Sequence, residues 1–185
     1  QQIADWLYIA GSQADVGSAV PNAHEFRTPK IKYHAYCDDF GPMNATSIIE
    51  FIMKLDDQLI LHKKKNVVYI SDPGVRAFTN ATFLVGCYLI LKKDFAAEQC
   101  SEIFAGIDPD NFEEYRDATF SENSFRLSLL DCWDGLVKAK SHGWIGMPDR
   151  NGLWGSIDPA EYLHYEHPLN GNIHISVPGK FVAFQ

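Results

Sequence analysis

The segment from residue 66 to residue 93 constrains the fold of this chain more than any other. Residues 66–70 form a short apolar run with two valines, which is typical of a buried strand. The stretch Ser71-Asp72-Pro73-Gly74-Val75-Arg76 predicts a tight polar loop, and residues 79–93 predict an apolar helix. A loop that leads from a strand into a helix presents backbone N–H groups to an anion, and the arginine adds positive charge. The sequence therefore predicts the outline of a phosphate cradle.

The cradle lacks the nucleophile that cysteine-dependent phosphate hydrolysis requires. In that chemistry a thiolate at the strand end attacks phosphorus, and an arginine six residues later binds two phosphate oxygens. The residue six before Arg76 is Ile70, and Ser71 beside it lacks an adjacent base. The positions six after the cysteines hold Met43, Lys93, Gly106 and Lys138. We therefore expect no catalytic residue in this chain, and we treat residues 71–76 as a degenerate phosphate loop.

Two roles remain open for Arg76. It can attract an anion together with the backbone N–H groups of the loop. Alternatively, it can pair with Asp72 or with another carboxylate and simply fix the turn. The negative charge of Asp72 lies where a phosphate would sit, so it favours the second role.

Composition and charge narrow the classes of function. The chain has 185 residues and a net charge of −8, which disfavours nucleic-acid binding because that depends on lysine and arginine. No cofactor motif or metal-ligand spacing is present, and the longest apolar helix, at 81–91, is too short to cross a membrane. Cys37, Cys87, Cys100 and Cys132 are widely spaced, which favours reduced thiols in a cytoplasmic compartment, with cytoskeletal or nuclear settings as further options.

Periodicity predicts an α/β protein. Strands are expected at 6–10, 31–37, 66–70, 172–177 and 181–184, and helices at 45–62, 79–93, 94–105, 124–142 and 159–167. No repeat, linker or low-complexity tract divides the chain, so residues 1–185 are expected to form a single domain. The order of the elements predicts a sheet flanked by helices.

Acidic residues beside aromatic ones form a second candidate surface. They occur in the run Glu113-Glu114-Tyr115 and again at Glu161, Tyr162, Tyr165 and Glu166. Such side chains can line a groove for a basic peptide, or they can form an ordinary solvated face.

Several blocks of the sequence occur in an order that resembles one family. They are Asp5-Trp6-Leu7-Tyr8, Asp39-Phe40-Gly41-Pro42-Met43-Asn44, Asn80-Ala81-Thr82-Phe83-Leu84-Val85-Gly86, Arg116-Asp117-Ala118-Thr119-Phe120, Leu130-Asp131-Cys132, Glu161-Tyr162-Leu163-His164-Tyr165-Glu166, Asn170-Gly171 and Val177-Pro178-Gly179-Lys180-Phe181. With these blocks the chain resembles the N-terminal, non-catalytic domain of the mitotic-exit dual-specificity protein phosphatases, the cell-division-cycle-fourteen type.

The resemblance implies a protein-tyrosine-phosphatase-like fold without an active loop. In that family a second domain carries the catalytic cysteine and arginine, and the first helps to form an acidic groove that selects a basic residue after a phosphoserine-proline. By this resemblance Asp39, Glu161 and Glu166 are the acidic-groove candidates. Leu163 departs from the pattern, because the family is usually more acidic there.

Two hypotheses follow for the function. The first is a catalytically inactive domain that binds a protein or basic peptide, as a scaffold in a larger cytoskeletal or ciliary assembly. The second is the substrate-specificity half of an active dual-specificity phosphatase whose catalytic domain lies outside this sequence.

Overall fold

The structure is a computed structural model that describes residues 1–4, 6–12, 16, 19–119, 121–122, 126–177 and 179–184. Asp5, Phe120, Ser124, Phe125 and Pro178, which belong to the sequence blocks or predicted elements above, lie outside these described residues. Within them the chain is a mixed α/β fold with helices packed on a central sheet.

The central sheet contains four strands in the order β1, β2, β4, β3 within the described residues. Their bounds are β1 Gln2–Ala4, β2 Leu7–Ala10, β3 Ala23–Phe26 and β4 Asn66–Ile70. β4 runs parallel to both β2 and β3, whereas β1 is antiparallel to β2. The predicted strands at 6–10 and 66–70 are thus confirmed, and β4 lies between two neighbours in the sheet.

The two faces of β4 are buried in different ways. Val67 and Tyr69 face the main core beneath the helices, whereas Val68 and Ile70 pack in a small cluster with Val16. A strand that is buried on both faces shows a continuous apolar run without alternation, which explains the sequence of residues 67–70.

Helix α1, Ala45–Leu61, lies on the main-core face. The side chain of Asn44 caps it by accepting a hydrogen bond from the Ser47 N–H at 2.9 Å. Ile48, Ile52 and Leu55 are buried, as the three- and four-residue spacing of the apolar residues predicts.

Helix α2, Val75–Lys93, is the centre of the helical layer. Every residue from Thr79 to Leu91 is buried, so this helix has no solvent-facing stripe. It packs against α1, against α3 (Ala97–Phe104) and against α4 (Leu129–Ser141). The predicted helix at 79–93 begins four residues earlier, because the half-exposed first turn does not continue the apolar pattern.

Helix α4 is shorter than the predicted range of 124–142. Ser128 and Asp131 form a reciprocal capping box that fixes its start at Leu129. The two residues before the cap form strand β6, Arg126–Leu127, which pairs with β5, Tyr115–Arg116. The apolar spacing extends through this small ladder and therefore overestimates the helix.

Helix α5, Pro159–Glu166, and strands β7, His174–Val177, and β8, Phe181–Ala183, form the last part of the fold. Asp158 caps α5 with Pro159 in its first turn, as predicted. Strands β7 and β8 form their own antiparallel two-stranded sheet and do not join the central one.

The strand predicted at 31–37 is wrong. The described backbone there is irregular, and Cys37 and Asp38 have φ angles of 52° and 62°, which are incompatible with a strand. The third strand of the parallel set is β3, in a segment whose turn residues obscured it.

Candidate functional site

The degenerate phosphate loop lies at the carboxyl end of β4, next to the carboxyl end of β2. The two strands are parallel and in register, with Ala10 beside Ile70. The loop is shorter than the predicted range of 71–76, because Gly74 is the N-cap of α2 and Val75 and Arg76 belong to its first turn. Gly74 has a φ of 110°, a conformation that a side chain would strain. The strand, loop and helix start therefore have the arrangement of a phosphate cradle.

Ser71 anchors this loop through its backbone. Its N–H donates to the Ala10 carbonyl at 3.0 Å, and its own carbonyl accepts from Arg27 at 2.9 Å. The buried hydroxyl donates to the Asp72 carbonyl. These bonds join the loop to the sheet, and no general base contacts the hydroxyl within the described residues.

Two carboxylates from distant segments hold Arg76. Its Nε and Nη2 lie 2.9 and 2.8 Å from one oxygen of Glu113, and its Nη1 lies 2.7 Å from Asp38. The guanidinium also lies over the ring of Phe40, 5.4 Å from the centroid. The Thr79 hydroxyl fixes Glu113 in turn, because it accepts from the Glu113 N–H at 3.0 Å.

These contacts change the charge of the cradle. The hydrogen bonds that Arg76 donates to Glu113 and Asp38 raise the pKa of Arg76 further above its usual range, and the bond from Arg76 lowers the pKa of Asp38. Asp72 pairs instead with Lys32, at 3.8 Å. Arg76 therefore pairs with carboxylates other than Asp72, and an anion entering the cradle must compete with them.

A cavity of about 480 Å³ opens above the loop. Tyr33, Phe40 and Tyr69 line it together with Arg76. The Tyr69 hydroxyl bonds to the Thr28 hydroxyl at 2.8 Å, and burial raises the pKa of Tyr69 to about 12. The cavity is thus a mixed aromatic and charged pocket in which the cationic group already has partners.

Burial disfavours the reactive thiolate at three of the four cysteines. Cys87 and Cys100 are buried in helices α2 and α3, and burial raises the pKa of both thiols, for Cys100 to about 12. Cys132 is partly buried, and burial raises its pKa to about 11. Cys37 is exposed on the irregular segment before the Asp38 ion pair. Ile70, at the strand end where a nucleophile is needed, is 1% exposed.

The three acidic-groove candidates have different environments. Asp39 accepts from the Tyr33 hydroxyl at 2.5 Å and from the Tyr36 N–H. Glu166 is half-buried and accepts from the Asn44 side-chain amide at 2.5 Å. Glu161 is exposed on the first turn of α5 and forms no ion pair within the described residues. Asp39 and Glu166 therefore have hydrogen-bonding roles inside the protein, and among the described residues no hydrogen bond joins any two of the three candidates.

The partners of Arg76 are the residues that sequence reasoning missed. Asp38 and Glu113 lie 38 and 37 positions from it, so no local pattern links them. The sequence leaves the run Glu113-Glu114-Tyr115 open between a peptide groove and a solvated face, whereas in the structure Glu113 pairs with Arg76 beside the loop. The one sequence feature that could have indicated a partner for Arg76 is the negative charge of Asp38, which directly precedes the block Asp39-Phe40-Gly41-Pro42-Met43-Asn44.

The described part of the chain contains neither a metal-binding cluster nor a membrane-spanning helix. No group of three or more His, Cys, Asp or Glu side chains there is arranged to hold a metal ion. None of the described helices is long and apolar enough to span a lipid bilayer.

Strand, loop and helix thus define a phosphatase-like domain whose loop has no thiol at the nucleophile position. Comparison with known families gives a match over residues 1–139 to the model described as the N-terminal half of dual-specificity protein phosphatases. The chain belongs to this family.

Individual relatives extend the match towards the carboxyl end. The chain is 32% identical over 184 residues to the dual specificity protein phosphatase CDC14A of Homo sapiens, covering 97% of this chain and 30% of the relative. It is 30% identical over 166 residues to CDC14C of Homo sapiens, covering 88% and 35%. It is 28% identical over 188 residues to the CDC14 homolog of Schizosaccharomyces pombe, covering 98% and 33%. The chain thus spans about a third of the length of these curated relatives.

Proposed function

We propose that this chain is a non-catalytic phosphatase-like domain that acts by binding a protein partner. The observation that supports this most directly is the pairing of Arg76 with Asp38 and Glu113 beside a strand end that carries Ile70. Phosphoryl transfer needs a guanidinium that is free to bind phosphate oxygens and a nucleophile that attacks phosphorus opposite the leaving group. A binding role needs neither, and it agrees with an acidic surface that attracts a basic partner. A cytoskeletal or ciliary assembly and the nucleus are settings for such a role.

A phosphatase assay tests this proposal. The purified chain is incubated with p-nitrophenyl phosphate and, separately, with a phosphoserine-proline peptide that carries a downstream lysine. We expect no release of phosphate above the enzyme-free blank. Cys37→Ser is the matched control, because Cys37 is the exposed thiol nearest to the Arg76 ion pairs along the chain. Hydrolysis that a single substitution in this chain abolishes would overturn the proposal.

The family match favours a second candidate function, the selection of substrates for a catalytic domain. The matching family is described as the N-terminal half of dual-specificity protein phosphatases. The relatives named above are dual-specificity or tyrosine-protein phosphatases about three times as long as this chain. The intact mass of the native polypeptide separates the candidates at the first step. A mass near 20.9 kDa supports a free-standing domain, whereas a mass of about twice that or more supports the specificity half.

Substitutions on α5 test the second candidate in the intact enzyme. If α5 selects basic substrates, Glu161→Lys reduces turnover of peptides with a downstream lysine or arginine and leaves turnover of neutral peptides unchanged. Glu166→Lys also breaks the bond to Asn44, so Asn44→Ala serves as its structural control. Unchanged preference in the Glu161 variant removes that residue from substrate selection.

A further inference from the structure

One edge of the central sheet is open among the described strands. Strand β3 pairs with β4 on one side and has no described strand on its other side. The backbone N–H and C=O groups on that outer side can therefore pair with a further extended segment, as at any sheet edge. Pro21 and Pro29 lie on either side of β3 and keep the edge short. The edge offers four residues for the addition of a strand.

The C-terminal end of helix α1 lies against β3. The rings of His24 on β3 and His62, the C-cap residue of α1, stack with their centroids 3.4 Å apart. Nε2 of His24 also lies 2.8 Å from Oε1 of Gln58, one turn earlier on α1. Leu61 follows Gln58 by three positions, so the two residues share one side of the helix, and Leu61 is 72% exposed. The end of α1 therefore presents an exposed apolar side chain beside β3.

The turn after α1 carries three exposed lysines, at positions 63–65. Hydrogen bonds hold this turn next to β3. The Asn22 side-chain amide donates to the Lys64 carbonyl at 2.8 Å, and the Asn66 N–H donates to the Asn22 carbonyl at 3.2 Å. The ion pairs that lysines form in the described part of the chain all involve other lysines. In a chain of net charge −8, this turn is a local positive cluster that can attract an anionic partner.

The open strand favours an acidic peptide over an anionic membrane as that partner. A lipid surface would use only the lysines and Leu61, and clusters that recognise anionic lipids typically contain about four to eight basic residues. An extended peptide uses the same side chains and also the outer backbone groups of β3. The peptide therefore accounts for more of the features that lie together here.

We propose that the outer edge of β3, Leu61 and the turn at 63–65 together form a site, which we call the β3-edge site, for an extended acidic peptide of a partner protein. The peptide adds to β3 as a strand, packs an apolar side chain on Leu61 and places carboxylates against the lysines. This inference rests on the proposed protein-binding function and assigns a contact site to it. The site contains neither the degenerate phosphate loop nor any acidic-groove candidate, and its charge has the opposite sign.

Fluorescence anisotropy with a defined probe tests the assignment. The probe is a labelled peptide of alternating valine and glutamate with one central leucine. One comparison peptide replaces the glutamates by lysines. Another keeps the sequence but carries N-methyl groups on its central backbone nitrogens, which removes the donors that strand pairing needs. We expect the unmodified 185-residue chain to bind the probe and to bind each comparison peptide at least about tenfold more weakly.

Charge reversal in the turn locates the acidic side chains of the bound probe. Lys63→Glu combined with Lys64→Glu weakens binding about tenfold or more, because it removes two attractions and adds two repulsions. Lys180→Glu is the matched control, because Lys180 is also an exposed lysine in a turn but lies between β7 and β8. It leaves the affinity unchanged.

Two adjacent residues of α1 locate the apolar side chain of the probe. Leu61→Asp weakens binding about tenfold, because it replaces an apolar contact by a charge that repels the glutamates. Ile60→Asp is the matched control, because Ile60 is similarly exposed, at 61%, but points to a different side of the helix from Gln58 and Leu61. It leaves the affinity unchanged, and circular dichroism verifies that both variants keep their fold.

The proposal is overturned if the probe does not bind, if either comparison peptide binds as tightly as the probe, or if Leu61→Asp and Ile60→Asp have the same effect. It is also overturned if the chain sediments with phosphatidylserine vesicles and the lysine double variant does not, because the partner is then a lipid surface. Loss in Leu61→Asp of a dimer seen by analytical ultracentrifugation would likewise overturn it, because the occupant is then a second copy of this chain. Each of these results leaves the absence of phosphatase activity untouched, so the two proposals fail separately.

Discussion

The side-chain amide of Asn44 donates to the carboxylate of Glu166 across 122 positions of sequence. The same Asn44 accepts a hydrogen bond from the Ser47 N–H and so caps α1. One residue therefore starts the first helix and joins it to the last.

Substitutions of Asn44 separate these two roles. Asn44→Ala loses both and lowers the free energy of unfolding by about 2 kcal/mol in urea titrations. Asn44→Asp keeps the cap but places two carboxylates together, so its deficit is larger at neutral pH and shrinks as acid protonates one of them. Equal losses for Asn44→Asp at neutral and acidic pH would contradict the contact with Glu166.

Alanine substitutions at two helical glycines are expected to change the stability of the protein in opposite directions. A Cβ on Gly86 would lie 2.3 Å from ring atoms of Trp133, whose indole is buried and donates to the Phe83 carbonyl. Gly86→Ala therefore costs about 3 kcal/mol or more of stability. A Cβ on Gly135 meets nothing within 4 Å, so Gly135→Ala stabilises α4 by about 0.5–1 kcal/mol. Thermal unfolding of the two variants measures both effects.

Restoring the cysteine spacing is not expected to restore catalysis. Ile70→Cys places a thiol six residues before Arg76, but that position is 1% exposed and the guanidinium is held by two carboxylates. Burial keeps such a thiol protonated, so no hydrolysis of p-nitrophenyl phosphate is expected. Turnover by Ile70→Cys that disappears on adding Arg76→Ala would show that the cradle is still competent.

Thiol labelling distinguishes Cys37 from the other cysteines. Cys37 is exposed, whereas burial raises the pKa of Cys100 to about 12 and that of Cys132 to about 11. Iodoacetamide near pH 8 therefore modifies Cys37 first, and mass spectrometry shows the other thiols reacting only after denaturation. Cys37→Ser should remove the rapid labelling, and labelling of Cys87 in the native protein would contradict the buried position of α2.

Stability should fall in alkaline solution because of buried phenols. Burial raises the pKa of Tyr69 to about 12, and burial with the bond to Asp39 raises that of Tyr33 to about 12. The pKa of a tyrosine in the unfolded chain is about 10, so the stabilisation is complete below that pH and is lost as the pH rises towards 12. Urea midpoints across this range should fall less in Tyr69→Phe than in the unmodified protein. Parallel declines would assign the loss to other groups.

Local signals were sufficient for the elements with strong patterns. Residues 66–70 form a strand, the stripe from Ile48 to Leu55 marks α1, and the Asp158 cap marks α5. The strand prediction for segment 31–37 was wrong because its alternating aromatic side chains make loop contacts, such as that of Tyr33 with Asp39, and not strand pairing. β3 was missed because its pairing with β4 stabilises a sequence that has little strand preference of its own.

The candidate site was only partly predictable for the same physical reason. The missing nucleophile is a matter of spacing along the chain, and Ile70 and Arg76 show it directly. The ion pairs of Arg76 depend on segments that only the tertiary structure brings together. The cavity between α4, α5 and the β7–β8 hairpin likewise forms only when these three elements are folded together, so no sequence motif indicates it.

The burial of α2 on all sides limits how this family member can diverge. Most helices in small domains have a solvent-exposed face that tolerates substitutions, but residues 79–91 of α2 have no such face. Each change there must be accepted by a neighbouring helix or by the sheet, as the contact of Gly86 with Trp133 illustrates. Variation in a lineage of such domains should therefore concentrate in loops and outer helices, while this central helix changes only together with its neighbours.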